Sequence, residues 1–246
     1  MISENNKIRI SEIFCSIQGE GIYTGIPSVF VRFQGCHNNC TWCDTGFSWD
    51  KNLGQEMSVQ EVLNKIFTFK NINPVVITGG EPTNQLEGLV SLVYCLFYNN
   101  NNYKFTTVET NGTINPFKFF PNIGGCVGLW SVSPKLQSAK AKLKYDISAI
   151  KQILNYKSQL KFVVSDEADI IEMFQLLNPL PFLHRPVIIQ PNGQEKGATC
   201  SMEEYSRRAD WLVNTLLNKY IDYFEKYDIR IMLQQHKVIW GNKRGV

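Results

Sequence analysis

Seven short runs rich in Val, Ile, Leu and Phe fall at residues 27–33, 74–78, 105–109, 129–133, 160–164, 187–190 and 229–233. Most are continuous rather than alternating, the pattern of parallel strands covered on both faces. Amphipathic helical patterns fill the intervals at 58–69, 84–99, 146–156, 166–177 and 201–223. Two of these open on capping boxes, Ser58-Val59-Gln60-Glu61 and Ser201-Met202-Glu203-Glu204. The interval 45–74 leaves room for one small capped helix and no large insertion. Strand–helix alternation with no repeat or low-complexity linker predicts a single α/β domain over residues 1–246. A closed eight-unit barrel takes about 250 residues with every unit present, and several intervals here are too short for a helix. The expected architecture is an incomplete TIM-type barrel of about six parallel strands with flanking helices. An open doubly wound sheet ranks second, because no G-x-G-x-x-G turn follows the first strand.

Polar motifs gather where these strands end, the edge on which parallel α/β folds place their sites. The first strand leads into Gly35-Cys36-His37-Asn38-Asn39-Cys40-Thr41-Trp42-Cys43-Asp44-Thr45, with spacing C-x3-C-x2-C. Thr78-Gly79-Gly80-Glu81-Pro82 follows the second strand and Glu109-Thr110-Asn111-Gly112 the third. Ser133-Pro134-Lys135 follows the fourth, and Gln190-Pro191 ends a later one. Any one of these alone reads as a turn. Three thiolates from one short loop make a soft metal site. A closed zinc site or an all-cysteine iron–sulfur cluster uses four ligands, so three leave one metal corner open for a substrate or cofactor.

Composition narrows the class. The chain is 43% hydrophobic and 19% charged, an ordinary globular balance. A net charge of +3 gives no reason to expect nucleic acid as a partner. No apolar signal core follows Met1, and the longest apolar stretch, 89–98, is half a membrane span. A cytoplasmic location is expected, and clustered cysteines there point to metal rather than disulfides. Cys15, Cys95, Cys126 and Cys200 are scattered and read as buried free thiols. With three histidines in all, a histidine metal site is improbable; His37 is expected to point away from the cysteines, and His184 reads as loop.

The cysteine spacing with Trp42 as the aromatic resembles the signature of the radical S-adenosylmethionine superfamily, and Gly79-Gly80-Glu81-Pro82 is similar to its GGEP motif. Ile17-Gln18-Gly19-Glu20-Gly21, Thr24-Gly25, Arg32-Phe33-Gln34-Gly35-Cys36 and Cys43-Asp44-Thr45 narrow the resemblance to the 7-carboxy-7-deazaguanine synthase family. Ser133-Pro134-Lys135 and Gln235-His236-Lys237 fit it as well, so the resemblance runs from about Ser11 to Val238.

That resemblance implies a [4Fe–4S] cluster on Cys36, Cys40 and Cys43, whose fourth iron chelates S-adenosylmethionine. It implies that the 5′-deoxyadenosyl radical abstracts hydrogen from C6 of 6-carboxy-5,6,7,8-tetrahydropterin. The ring then contracts with loss of ammonia, a step toward queuosine-type tRNA bases. Trp42, Gly80, Glu81, Glu109, Ser133, Pro134, Lys135 and Gln190 would meet the cofactor. Ile17, Gln18, Gly19, Arg32, Thr78 and His236 would meet the substrate, with Arg32 as a fork for its carboxylate. Thr45 would bind Mg2+. The family resemblance further implies a homodimer and a flavodoxin- or ferredoxin-type electron donor, with neither nucleic acid nor membrane as partner. Residues 238–246 read as a tail beyond the family's usual end, near the substrate side. Two other readings share the cysteines: an activating enzyme that places a radical on a protein partner, and a zinc-binding module using His37 or Asp44 as fourth ligand.

Overall fold

Residues alternate faces along a strand, so every second side chain of a curved parallel sheet meets helices while the others meet the interior. A computed structural model of the chain describes residues 2–99, 104–180, 185–195, 198–241 and 243–246; His184 lies outside them. The first half comprises β1 (Lys7–Ile17), β2 (Pro27–Phe33), β3 (Gln55–Ser58), α1 (Val59–Thr68), β4 (Val75–Gly79), α2 (Leu86–Tyr98), β5 (Thr106–Thr110) and β6 (Leu129–Val132). Then come α3 (Ile147–Ile153), β7 (Ser158–Val164), α4 (Glu167–Leu177), β8 (Val187–Pro191), β9 (Gln194–Glu195) and β10 (Ala198–Thr199). The described chain finishes with α5 (Met202–Lys219), α6 (Tyr223–Lys226), β11 (Ile229–Ile231) and α7 (Gln235–Trp240).

Nine strands form one sheet in the order β11-β8-β7-β6-β5-β4-β2-β1-β3, and β9 pairs with β10 apart from it. Strands β2, β4, β5, β6, β7, β8 and β11 run parallel and correspond one for one to the seven apolar runs. The sheet keeps two free edges, so the barrel is incomplete, as expected. The apolar runs did not announce β1 and β3, which add antiparallel pairs at one edge. β1, Lys-Ile-Arg-Ile-Ser-Glu-Ile-Phe-Cys-Ser-Ile, carries a polar residue at every few positions and so lacks the apolar run of a central strand.

Outward-facing Val31, Phe33, Ile77, Val108, Trp130, Phe162 and Ile189 pack with helix residues such as Leu63, Leu92, Phe174 and Leu212 in one apolar core. The opposite face carries Phe30, Arg32, Thr78, Glu109, Lys161 and Val163 into a cavity. Runs that read as uniformly apolar therefore hide a polar inner face. The first capping box forms as expected, with Ser58 Oγ accepting from Glu61 N at 3.2 Å and Glu61 Oε2 accepting from Ser58 N at 2.6 Å. At the second, Ser201 Oγ accepts from Glu204 N, but the Glu204 carboxylate turns to Arg207 and Arg208. The long helix also ends earlier than its pattern, at Lys219. Cys126 and Cys200 are buried and Cys95 is half-buried, but Cys15, near the sheet edge in β1, is exposed. Among the described residues, no helix is long and apolar enough to cross a membrane.

Candidate active site

The cysteine loop leaves β2 between two anchors. Gly80 N donates to Phe33 O at 3.0 Å and Glu81 N to Gly35 O at 2.9 Å, which ties the turn after β4 to the start of the loop. Further along, Thr41 N donates to Ala139 O and Trp42 Nε1 to Ser138 Oγ, beyond β6. A Cβ on Gly80 would stand 2.3 Å from Gly35 O, so only glycine allows this approach. Cys36, Cys40 and Cys43 all line the cavity. Burial pushes the Cys36 thiol up, and the Cys40 thiol to about 11 despite Lys135 nearby. Binding iron would therefore displace protons.

Among the described residues, no three His, Cys, Asp or Glu side chains close on a single metal ion. A four-iron cluster does not ask for that, since each thiolate takes its own iron and the sulfurs stand around the cube. The surroundings fit such a group. Asn38 N lies 3.5 Å from Cys36 Sγ and Trp49 Nε1 lies 3.3 Å from Cys43 Sγ, N–H donors aimed at sulfurs that would carry charge. His37 is excluded as a ligand, because Asn84 Oδ1 at 2.6 Å and Thr113 Oγ1 at 2.8 Å occupy its two ring nitrogens.

Facing the cysteines is a buried polar cluster. Glu109 of β5 accepts from Gln18 Nε2 at 3.2 Å and from Thr78 Oγ1 at 2.8 Å. Lys161 of β7 ion-pairs with Glu20 and lies 3.8 Å from Glu109 Oε1. Gln234 Nε2 donates to Glu20 as well. Burial works against the Glu20 carboxylate, but Lys161 and His236 bring its pKa down to about 2. Burial likewise opposes charge on Lys161, and Glu109 and Glu20 hold its pKa above the usual lysine value. The loop carrying Gln18 and Glu20 starts where Ile17 pairs with Pro27, at the N-terminal end of β2, and reaches up the inner face. It does not sit at the strand C-termini with the other motifs.

Residues after β11 complete the wall. Gln235 N donates to Gly19 O at 2.9 Å, and Lys237 Nζ stands 3.4 Å from Asp44 Oδ2. Burial would raise the Asp44 carboxyl, but Lys237 and His236, with Arg32, hold it well below its usual range. Arg244 lies 3.5 Å over the Phe47 ring and 3.9 Å from Glu12. Residues 241 and 243–246 line the cavity.

Most sequence-chosen residues meet in this one cavity: Ile17, Gln18, Gly19, Arg32, Cys36, Cys40, Trp42, Cys43, Thr45, Thr78, Gly80, Glu81, Glu109, Ser133, Lys135 and His236. Pro134 and Gln190 are not among its lining residues. Gln190 is fully buried, and neither of its amide atoms has a hydrogen-bond partner among the described residues. Glu81 lines the cavity, but its carboxylate is taken up by the protein and accepts from Thr83 N, Thr83 Oγ1, Thr110 Oγ1 and Asn111 N. Arg32 is not a free fork, because its Nε already donates to Glu12 Oε1 at 2.8 Å. Sequence reasoning assigned no role to Glu12, Glu20, Phe47, Lys161, Lys237 or Arg244, and gave Asp44 one only as a ligand in the zinc reading. Glu20, Asp44 and Lys237 stood inside quoted motifs, and the others gave no local signal.

The family model described as "Radical SAM superfamily" matches residues 30–157. The 7-carboxy-7-deazaguanine synthase of Pyrobaculum aerophilum is 34% identical over 245 residues, covering 99% of this chain and 100% of that one. The chain belongs to the 7-carboxy-7-deazaguanine synthase family. Members from Clostridium acetobutylicum and Escherichia coli K12 are each 30% identical, over 97% and 87% of this chain and 99% and 97% of theirs. The crystal structure of QueE from Escherichia coli superposes with TM-score 0.65 at 24% identity, covering 92% of this chain and 94% of that one, and shows the shared fold. Streptococcus suis SuiB bound to S-adenosylmethionine shares the fold more distantly, with TM-score 0.57 at 12% identity over 85% of this chain and 53% of that one. As a member of this radical S-adenosylmethionine family, the chain uses a [4Fe–4S] cluster and S-adenosylmethionine. Neither the activating enzyme nor the zinc module is favoured. The alignment with the Pyrobaculum member covers 99% of this chain and 100% of that one, so most of residues 238–246 fall within it, contrary to the expectation of a tail beyond the family's usual end.

Proposed function

We propose that the chain is a carbon–nitrogen lyase that converts 6-carboxy-5,6,7,8-tetrahydropterin to 7-carboxy-7-deazaguanine with loss of ammonia. The observation that carries this reading is one shared cavity. The cysteine loop forms one wall, and the Gln18–Glu109–Thr78 cluster forms another. Cys36, Cys40 and Cys43 would hold the cluster, and the turn at Gly80 would seat the methionine end of S-adenosylmethionine against exposed backbone. When bound, this pair supplies a strong hydrogen-atom abstractor. The protein's part is to orient the pterin and exclude water. Glu109, fixed by Gln18 and Thr78, presents a carboxylate to the pterin's N–H edge. Arg32 keeps its Nη groups for the substrate carboxylate while Glu12 fixes its Nε. Thr45 offers a hard hydroxyl oxygen for Mg2+, which rarely takes an all-protein cage.

Residues 1–246 act as a single core domain with residues 238–246 at the substrate side. A homodimer, a cytoplasmic location and a flavodoxin- or ferredoxin-type electron donor complete the reading. The deciding experiment is an anaerobic assay with the pterin, S-adenosylmethionine and a strong reductant. The deazaguanine product is expected; iron-loaded protein that cleaves S-adenosylmethionine yet leaves the pterin unchanged would overturn the substrate assignment.

A further inference from the structure

Lys161 is the one residue of the inner cluster that two carboxylates share. It lies mid-strand in β7 with its side chain 7% exposed, and its ammonium faces Glu20 from the loop after β1 and Glu109 from β5. Gln159, two residues earlier on the same face, accepts from Ile22 N at 2.9 Å and donates to Ser131 Oγ at 2.9 Å. One strand face thus holds the Gln18–Ile22 loop at two points. The charged and titratable groups around this centre are Asp44 from the cysteine loop, His236 and Lys237 from α7, Tyr205 from α5 and Arg32 from β2. Lys161 and its two carboxylates together carry one net negative charge. Without the ammonium the two carboxylates would lose the cation that draws them together and would repel each other in a buried site.

We infer that Lys161 is a positioning residue of the substrate site: its ammonium bridges Glu20 and Glu109, so that the Glu109 carboxylate is held toward the substrate's N–H edge. This rests on the reading that the substrate is a carboxylated tetrahydropterin. A Glu109 carboxylate turned away from that edge would lose the charge-assisted bond.

The test measures binding of 6-carboxytetrahydropterin by calorimetry between pH 6 and 9, on anaerobic cluster-loaded protein without reductant, so that no turnover occurs. Each variant is compared with wild type at the same pH. Lys161→Met should bind about 10- to 100-fold more weakly near neutral pH, the size expected for losing one charged hydrogen bond. Lys161→Arg should stay close to wild type. The double variant Glu20→Gln/Lys161→Met removes one anion with the cation and keeps the net charge, so its affinity should return. S-adenosylmethionine binding should be unchanged throughout. If Lys161→Met binds as wild type does, or Lys161→Arg binds as weakly as Lys161→Met, the inference is overturned. Should Lys161→Met prove insoluble, the double variant decides: restored binding supports the role and weak binding overturns it. Wild-type protein that ignores the pterin would instead refute the substrate reading and this inference with it.

Discussion

Glu81 belongs to the motif expected to meet the cofactor, yet its carboxylate is enclosed by the protein. It is 1% exposed and accepts four hydrogen bonds: Thr83 N at 3.1 Å, Thr83 Oγ1 at 2.6 Å, Thr110 Oγ1 at 2.7 Å and Asn111 N at 2.7 Å. It therefore joins the turn after β4 to the end of β5. Glu81→Ala frees two hydroxyls, which can rotate to other acceptors, and two backbone N–H groups, which cannot. Each N–H left buried without a partner costs about 1–3 kcal/mol. Adding the lost side-chain contacts gives a destabilisation of about 3–5 kcal/mol. For a chain of this length, 1 kcal/mol moves Tm by about 2–4 °C, so a fall of roughly 6–20 °C is expected. Glu81→Gln tests the same argument more finely. Its amide NH2 would face Asn111 N–H donor to donor, while Thr83 and Thr110 keep an oxygen. The assay is calorimetric melting of the metal-free protein, paired with S-adenosylmethionine binding to the loaded form. If Glu81→Ala melts within about 2 °C of wild type but no longer binds S-adenosylmethionine, the carboxylate is a ligand and the argument fails.

Three further outcomes follow from the same geometry. Glu20 titrates at about 2 in the folded protein against an ordinary 4.5, so its contribution is complete above about pH 4.5 and lost as pH falls through about 2. Glu20→Gln should remove about 3 kcal/mol at neutral pH and flatten the acid limb of urea midpoints plotted against pH; an unchanged limb would count against the ion pair. Gly80→Ala drives a methyl onto the Gly35 carbonyl 2.3 Å away, and should cost about 1–3 kcal/mol and lower iron content by moving the residue before Cys36. Cys40→Ala should leave folding intact but abolish both stable iron incorporation and S-adenosylmethionine cleavage. Full iron retention would show that Cys40 is no ligand.

The parallel strands were legible because a strand covered on both faces must be apolar along most of its length, and Gly, Pro and Asn bound each run. The cysteine loop was legible because metal ligands on one loop keep a fixed spacing. What escaped were pairings across the fold. Lys161 and Glu20 are far apart in the chain, and nothing beside either of them announces the other. Arg32 looked like an unencumbered fork because its partner, Glu12, sits in β1, a strand whose polar residues hid it. The partners of the Glu81 carboxylate could not be read beside it either, since its four donors come partly from β5 and the turn that follows it. Gln190 ends a strand as expected, yet its side chain enters the packed interior beside the cavity rather than the cavity itself.

The sheet's two unjoined edges have a mechanical consequence. In a closed barrel, main-chain ladders run all the way round, and widening the mouth means breaking them. Here residues that follow β11 reach the segments on either side of β2 through Gln235 on Gly19, Gln234 on Glu20, Lys237 on Asp44 and Arg244 on Phe47. The aperture is thus set by a few contacts from the last residues of the chain, and it can dilate with every strand ladder intact. Passage of a bulky bicyclic ligand then draws on local free energy near α7, and the stability of the sheet is left untouched.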